Sequence, residues 1–185
     1  MPFHPTHIPG LIVFEPKVIR DDRGYFYECY NQKTFAEGGI EAVFVQDNQA
    51  RSTYGVLRGL HYQVGPMAQA KLVRVVEGEV LDVVVDIRED SPTYGQWYSI
   101  RLSAENHLQL FVPRGFAHGY AVLSETATFF YKCDNFYSRE SEGGIRYDDP
   151  KLAIDWQMPL DDAVLSEKDK VLPWLGDHRK FGNGQ

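Results

Sequence analysis

Short runs in which apolar and polar residues alternate recur along most of the chain, with turn-forming residues between them. Leu11 to Ile19 and Gly24 to Tyr30 come first, divided by Asp21-Asp22-Arg23-Gly24, whose aspartates and glycine suit a tight turn. Ala42 to Gln46, Val56 to Gln63, Lys71 to Val76 and Glu79 to Ile87 follow. Trp97 to Leu102, Leu108 to Val112, Gly119 to Leu123 and Thr128 to Phe136 complete the set. Segments of this length rich in branched and aromatic side chains predict strands, because such side chains pack well on a pleated surface. Gly78 separates two of them and supplies the positive φ of a tight hairpin. Two stretches read differently. Thr34 to Gly38 predicts one or two helical turns. After Asp148-Asp149-Pro150 breaks the strand pattern, Leu165-Ser166-Glu167-Lys168-Asp169 predicts a short helix with Ser166 as N-cap, packed over the strands. Lys180 to Gln185 are expected to be loose. Many short strands with regular turn signals predict an all-β barrel or sandwich with a few short helices.

Length and charge narrow this picture only slightly. A chain of 185 residues without linker, repeat or long charge run fits one domain over residues 1–185. The net charge of −7 weighs against nonspecific nucleic-acid binding, yet a local Arg/Lys cluster could still hold a small anion. The first residues have no basic start and no apolar run, and no segment is apolar enough to span a bilayer. The expectation is a cytoplasmic protein with neither a nucleic-acid nor a membrane partner. Cys29 and Cys133 are the only cysteines, at a spacing that matches neither a zinc site nor a redox pair, so two free thiols are expected.

Candidate chemistry concentrates in Gly55-Val-Leu-Arg-Gly-Leu-His61-Tyr-Gln63, in Lys71 and Gly78, and in Pro113-Arg-Gly-Phe-Ala-His118. These resemble the two motifs of the cupins, small double-stranded β-barrels of jelly-roll type. Metal-binding cupins place His, His and Glu in the first motif and a further His in the second. Here His61 and His118 keep the outer positions, while Gln63 and Lys71 occupy the other two. An amide is a poor ligand and an ammonium repels a cation, so no metal is expected. Two imidazoles and an ammonium at a barrel mouth suit proton abstraction beside a carbonyl, with the cation stabilising the oxyanion. On the residues alone other readings stay open. A strand histidine is usually structural, Ser166 to Asp169 also fits a capping box, Tyr131 is one of 11 tyrosines, and a surface arginine is ordinarily just solvated.

From about Gly10 to about Trp174 the chain further resembles the dTDP-4-dehydrorhamnose 3,5-epimerase family. The resemblance rests on Arg23-Gly-Tyr-Phe26, Val45-Gln-Asp-Asn48, the His61 motif, Gln69-Ala-Lys-Leu-Val73, Gly78 to Arg88, Ser91-Pro-Thr-Tyr-Gly95, Pro113 to Gly119 and Leu165 to Asp169, in that order. It implies a homodimeric, cofactor-free enzyme acting on dTDP-4-dehydro-6-deoxy-D-glucose. The sugar is inverted at C3 and C5 on the way to dTDP-L-rhamnose. It also implies roles. His61 is the base, Asp169 its orienter, Tyr131 the acid on the opposite face and Lys71 the stabiliser of the oxyanion at O4. His118 joins Lys71 near the sugar. Arg23 and Arg58 take the pyrophosphate, Phe26, Glu28, Gln46, Asp47 and Asn48 contribute further contacts, Tyr137 stacks on thymine, and Glu142 and Lys168 line the rim. The chain departs from the family's usual Asp-Asn-His-Ser at Gln49-Ala50, a change expected to alter the rim only. Single-centre epimerases, sugar ketoisomerases and noncatalytic nucleotide-sugar binders are the competing functions.

Two details invite structural tests. Arg58 and His61 are three apart, so a regular strand would point them to opposite faces. Gly59 could host a bulge that realigns them, or one basic residue could serve a partner subunit, as the Arg23 to Glu28 segment does in the family. Asp82 and Asp86 share a strand face, and either could pair with Lys71.

Overall fold

The computed structural model describes residues 2–182. In chain order its strands are β1 (Phe3–Pro5), β2 (Ile12–Phe14), β3 (Ile19–Asp21), β4 (Gly24–Phe26), β5 (Gln46–Thr53), β6 (Leu57–Gln63) and β7 (Lys71–Glu77). Then come β8 (Glu79–Asp86), β9 (Trp97–Ser103), β10 (Gln109–Val112), β11 (Phe116–Val122), β12 (Thr126–Cys133) and β13 (Glu142–Gly144). Two short helices, α1 (Gln32–Glu37) and α2 (Glu167–Lys170), complete the regular structure with three single 3₁₀ turns. A six-stranded sheet ordered β1-β2-β10-β7-β12-β5 faces a five-stranded sheet ordered β13-β6-β11-β8-β9, the two layers of a cupin-like jelly roll. The β3–β4 hairpin forms a separate two-stranded sheet.

Alternation explains the layers. Along β11, Phe116, His118, Tyr120 and Val122 point into the barrel, and the small Ala117 and Ala121 point outward beneath the C-terminal segment. Val73, Val75, Val80, Val84, Leu110 and Phe129 fill the interior from the other strands. The outer face of the five-stranded sheet is also covered, by Ile145, Leu152, Ile154 and Trp156, which accounts for the almost unbroken burial of β8. The six-stranded sheet is covered by α1 through Phe35.

The bulge expected at Gly59 is present. Across β11 and β6, His118 faces His61 and Tyr120 faces Arg58, so Gly59 and Leu60 together oppose Gly119. The extra residue resets the strand's phase. Leu57 and Leu60 both pack outward, and Arg58 and His61 both line the interior. Gly59 has φ 131°, a region that favours glycine. A Cβ on Gly119 would lie 2.5 Å from the Arg58 carbonyl oxygen. Because that neighbour is backbone, Gly119→Ala should destabilise the protein by about 3 kcal/mol and lower Tm by about 6–12 °C in a thermal melt.

Several boundaries differ from the sequence reading. The predicted strand from Leu11 to Ile19 is interrupted near Pro16, giving β2 and β3. Ala42 to Val45 is irregular, and the strand starts at Gln46 and runs to Thr53 instead. Lys180 is not loose, since its Nζ lies 3.0 Å from Glu89, and Phe181 packs on the core. The rest of that predicted loose tail, 183–185, lies outside the described residues. Both cysteines are free thiols. No helix among the described residues is long and apolar enough to cross a membrane.

Candidate active site

The barrel opens at one end into a cavity of about 700 Å³. β6 supplies Arg58 and His61, β7 Lys71, β11 His118 and β12 Tyr131, while α2 supplies Lys168 and Asp169. Gln46 and Asn48 enter from β5, Glu142 from β13, and Tyr137 stands at the mouth.

Two imidazoles pair with two buried carboxylates. His61 Nε2 lies 2.7 Å from Asp169 Oδ1, close enough for an ion pair although the N–H is not aimed squarely at the oxygen. Nδ1 of the same ring has no hydrogen-bond partner among the described residues. Asp169 is only 3% exposed. Burial pushes its carboxyl pKa up, but His61, Ser166 and Lys168 together outweigh that and hold it below the ordinary value. The capping box expected of Ser166 and Asp169 is only half formed, because among the described residues the Asp169 side chain accepts nothing from the Ser166 N–H. Oδ1 faces His61, Oδ2 accepts from Ser166 Oγ at 2.8 Å, and Ser166 Oγ caps α2 by accepting from the Asp169 N–H. Beside this pair, His118 Nε2 lies 2.8 Å from Asp82 Oδ2, both residues being buried.

Lys71 has no carboxylate partner among the described residues. Neither candidate pairs with it. Asp82 is taken by His118, and Asp86 is held by Arg88, Ser91 and Thr93 at a turn. Burial drives the Lys71 pKa down, with Cys133, Asp82 and Glu142 only partly restoring it. Its Nζ lies 5.9 Å from the centre of the Tyr131 ring. Burial likewise raises the Tyr131 phenol, with Arg58 pulling the other way. Arg58 also has no carboxylate partner among the described residues and donates to Ser52 Oγ at 3.3 Å. Two uncommitted cations in one cavity suit an anionic ligand.

Gln63, which stands where a metal-binding cupin has a histidine, is committed elsewhere. Its Nε2 donates to the carbonyls of Met67 and Phe136, and its Oε1 accepts from the Ser138 N–H. The amide thereby ties down the loop that carries Tyr137. Among the described residues no cluster of three or more His, Cys, Asp and Glu could hold a metal ion.

Not every expected contact gathers here. Asp47 faces outward and binds Lys132 Nζ at 2.9 Å, because β5 alternation sends Gln46 and Asn48 inward. Arg23, Phe26 and Glu28 also lie outside this chain's cavity. Arg23 is paired with Asp21, Phe26 is 70% exposed on the hairpin, and Glu28 accepts from Asn31. Sequence reasoning did not assign Asp82 to His118; alternation put it on one strand face with Asp86 and offered either to Lys71. Ser166 as a partner of the Asp169 side chain carried no signal beyond the cap.

A jelly-roll barrel whose mouth holds a carboxylate-paired imidazole, an ammonium and a phenol is built for proton transfer beside a carbonyl, the chemistry of an isomerase. The family model described as dTDP-4-dehydrorhamnose 3,5-epimerase matches residues 5–177. A dTDP-4-dehydrorhamnose 3,5-epimerase from Pseudomonas aeruginosa is 58% identical over 165 residues, covering 88% of this chain and 90% of its own. The crystal structure of the enzyme of that name from Elizabethkingia anophelis superposes with a TM-score of 0.91 at 56% identity, over 95% of this chain and 96% of its own. The Legionella pneumophila dTDP-6-deoxy-D-glucose-3,5-epimerase, solved in complex with dTDP-4-keto-L-rhamnose, superposes with a TM-score of 0.91 at 50% identity, over 95% and 93% of the two chains. The chain belongs to the dTDP-4-dehydrorhamnose 3,5-epimerase family, and it is an isomerase.

Proposed function

We propose that this cavity inverts C3 and C5 of dTDP-4-dehydro-6-deoxy-D-glucose, giving dTDP-4-dehydro-L-rhamnose for dTDP-L-rhamnose synthesis. The C4 ketone acidifies the hydrogens at both neighbouring carbons. His61 takes each proton, with Asp169 stabilising the imidazolium that forms. Lys71 donates to the developing O4 oxyanion, and His118, fixed by Asp82, stands beside it. Tyr131 returns a proton to the opposite face, its phenol raised by burial and pulled back in part by Arg58. The observation that carries this reading is the meeting of all three chemical functions in one cavity: a carboxylate-paired base, an unpaired ammonium and a phenol.

Tyr131→Phe separates the steps. In D₂O it should retain deuterium exchange from the abstraction side while inversion falls by about 10²-fold. Equal collapse of exchange and inversion, followed by NMR, would remove Tyr131 from the acid role. A single-centre epimerase could use the same residues with a shifted sugar pose, and deuterium at only one carbon would reveal it.

The nucleotide end engages Arg58, Gln46, Asn48, Tyr137, Glu142 and Lys168. Arg23, Phe26 and Glu28 act in the cavity of a second subunit of a homodimer. Supporting this, every residue of the β3–β4 hairpin is exposed, and its Ile19, Tyr25 and Phe26 are large apolar side chains. Arg23 touches nothing in its own cavity. Specific activity should therefore fall on dilution in step with dimer dissociation measured by sedimentation. A monomer with full activity would contradict the shared site.

A further inference from the structure

The charge on Asp169 is held in a place that needs explaining. A carboxylate this deeply buried is unstable unless its lone pairs are satisfied. His61 meets Oδ1 at 2.7 Å. The remaining oxygen, Oδ2, has one partner among the described residues, the hydroxyl of Ser166 at 2.8 Å. The same hydroxyl oxygen accepts from the Asp169 backbone N–H at 3.2 Å. Ser166 therefore grips Asp169 at two points, one on the backbone and one on the side chain. Rotation of the carboxylate about its last bond would break the contact at Oδ2 and turn Oδ1 away from His61.

We propose that Ser166 is a positioning residue for catalysis, the outermost member of a Ser166–Asp169–His61 chain. This rests on the reading of His61 as the base. The hydroxyl proton has two effects. It fixes which carboxylate oxygen faces the imidazole, and it withdraws negative charge from Asp169, which tempers the proton affinity of the coupled Asp169–His61 pair. Without that donor the carboxylate is more basic. The pair then binds its proton more tightly, and the acid limb of the rate profile moves upward.

A simple N-cap makes different demands. Capping needs only an oxygen acceptor for the backbone N–H, and aspartate serves as well as serine. The orienting role needs a proton donor, which an ionised aspartate lacks. Threonine supplies both. Ser166→Thr, Ser166→Asp and Ser166→Ala therefore separate the two functions.

The experiment measures kcat, KM and their pH dependence for dTDP-4-dehydro-6-deoxy-D-glucose in the wild type and the three variants, with a thermal melt of each. The threonine variant should match the wild type. The alanine variant should lose kcat by about tenfold with little change in KM, a loss of the size expected for one hydrogen bond to a charged group, and its acid limb should shift upward. The aspartate variant should keep its cap and its melting temperature yet lose at least as much kcat, with a larger shift of the limb. An aspartate variant with wild-type kcat and an unmoved acid limb would overturn the proposal and leave Ser166 as a cap. Should that variant fail to fold, the alanine and threonine pair decides: an alanine variant whose acid limb stays where the wild type's is would overturn it equally. A wild type that exchanges no hydrogen would instead overturn the epimerase reading.

Discussion

Replacing His61 by alanine should abolish hydrogen exchange at both C3 and C5, with a rate loss of about 10²–10⁴-fold, the range of a positioned general base. Both carbons fail together because the cavity offers one imidazole whose partner is Asp169 and whose other nitrogen is unengaged. The second imidazole is also paired with a carboxylate but is less accessible to a substrate, since the His118 side chain is 7% exposed against 32% for His61. Stability should change far less than activity. His61 lies at the edge of the cavity, so its removal opens no hole in the core. It does leave the Asp169 carboxylate without its strongest neighbour, and that group can respond by taking up a proton. Thermal melts and dTDP binding should therefore remain close to the wild type. Surviving exchange at either carbon would show that a second base serves that position.

Lys71→Ala should lower kcat by about 10²–10³-fold, the measured scale for losing one oxyanion donor. Its effect on stability should have the opposite sign. The ammonium sits against apolar strand neighbours with no carboxylate partner among the described residues, so the folded state carries a desolvation cost that is only partly offset. Removing it should leave Tm unchanged or slightly raised. The pH behaviour follows from the same cause. Burial first of all lowers the Lys71 pKa beneath 10.5, against the smaller upward pull of Cys133, Asp82 and Glu142. The charged form is the catalytic one, so activity is lost as pH rises through that lowered value. The unfolded chain still holds its proton over the interval up to 10.5, so this group makes the folded state more stable with rising pH in the same window. Activity and the Lys71 contribution to stability should thus move in opposite directions there. An alkaline limb that persists unchanged in Lys71→Ala would assign it to another group.

The strands of the barrel interior were legible because Val, Ile, Leu and Phe mark them, and the two motifs brought His61, Lys71 and His118 together at the barrel mouth. β5 escaped the same logic. Gln46 to Thr53 carries no large apolar residue, since its inner face lines a polar cavity and its outer face meets solvent. A strand whose buried side binds ligand has no hydrophobic period to read. β13 was missed because Glu142-Gly-Gly144 is glycine-rich, where Tyr62 and Leu172 lie too close for side chains. The Arg58–His61 conflict was visible as a violation of period two, and Gly59 pointed to its resolution. The pairing of Asp82 with His118 was not visible, since it depends on the register between β8 and β11. Nor was the double use of Asp169, which depends on the direction of two oxygens on one carboxylate.

The central claim is that one cavity deprotonates and inverts two carbons flanking a ketone. Incubating the wild-type protein with dTDP-4-dehydro-6-deoxy-D-glucose in D₂O, trapping the product with a reductase and reading the sugar by NMR tests it most directly. Deuterium at both C3 and C5 of dTDP-L-rhamnose is the predicted result; a folded protein that leaves both positions protonated would contradict the account.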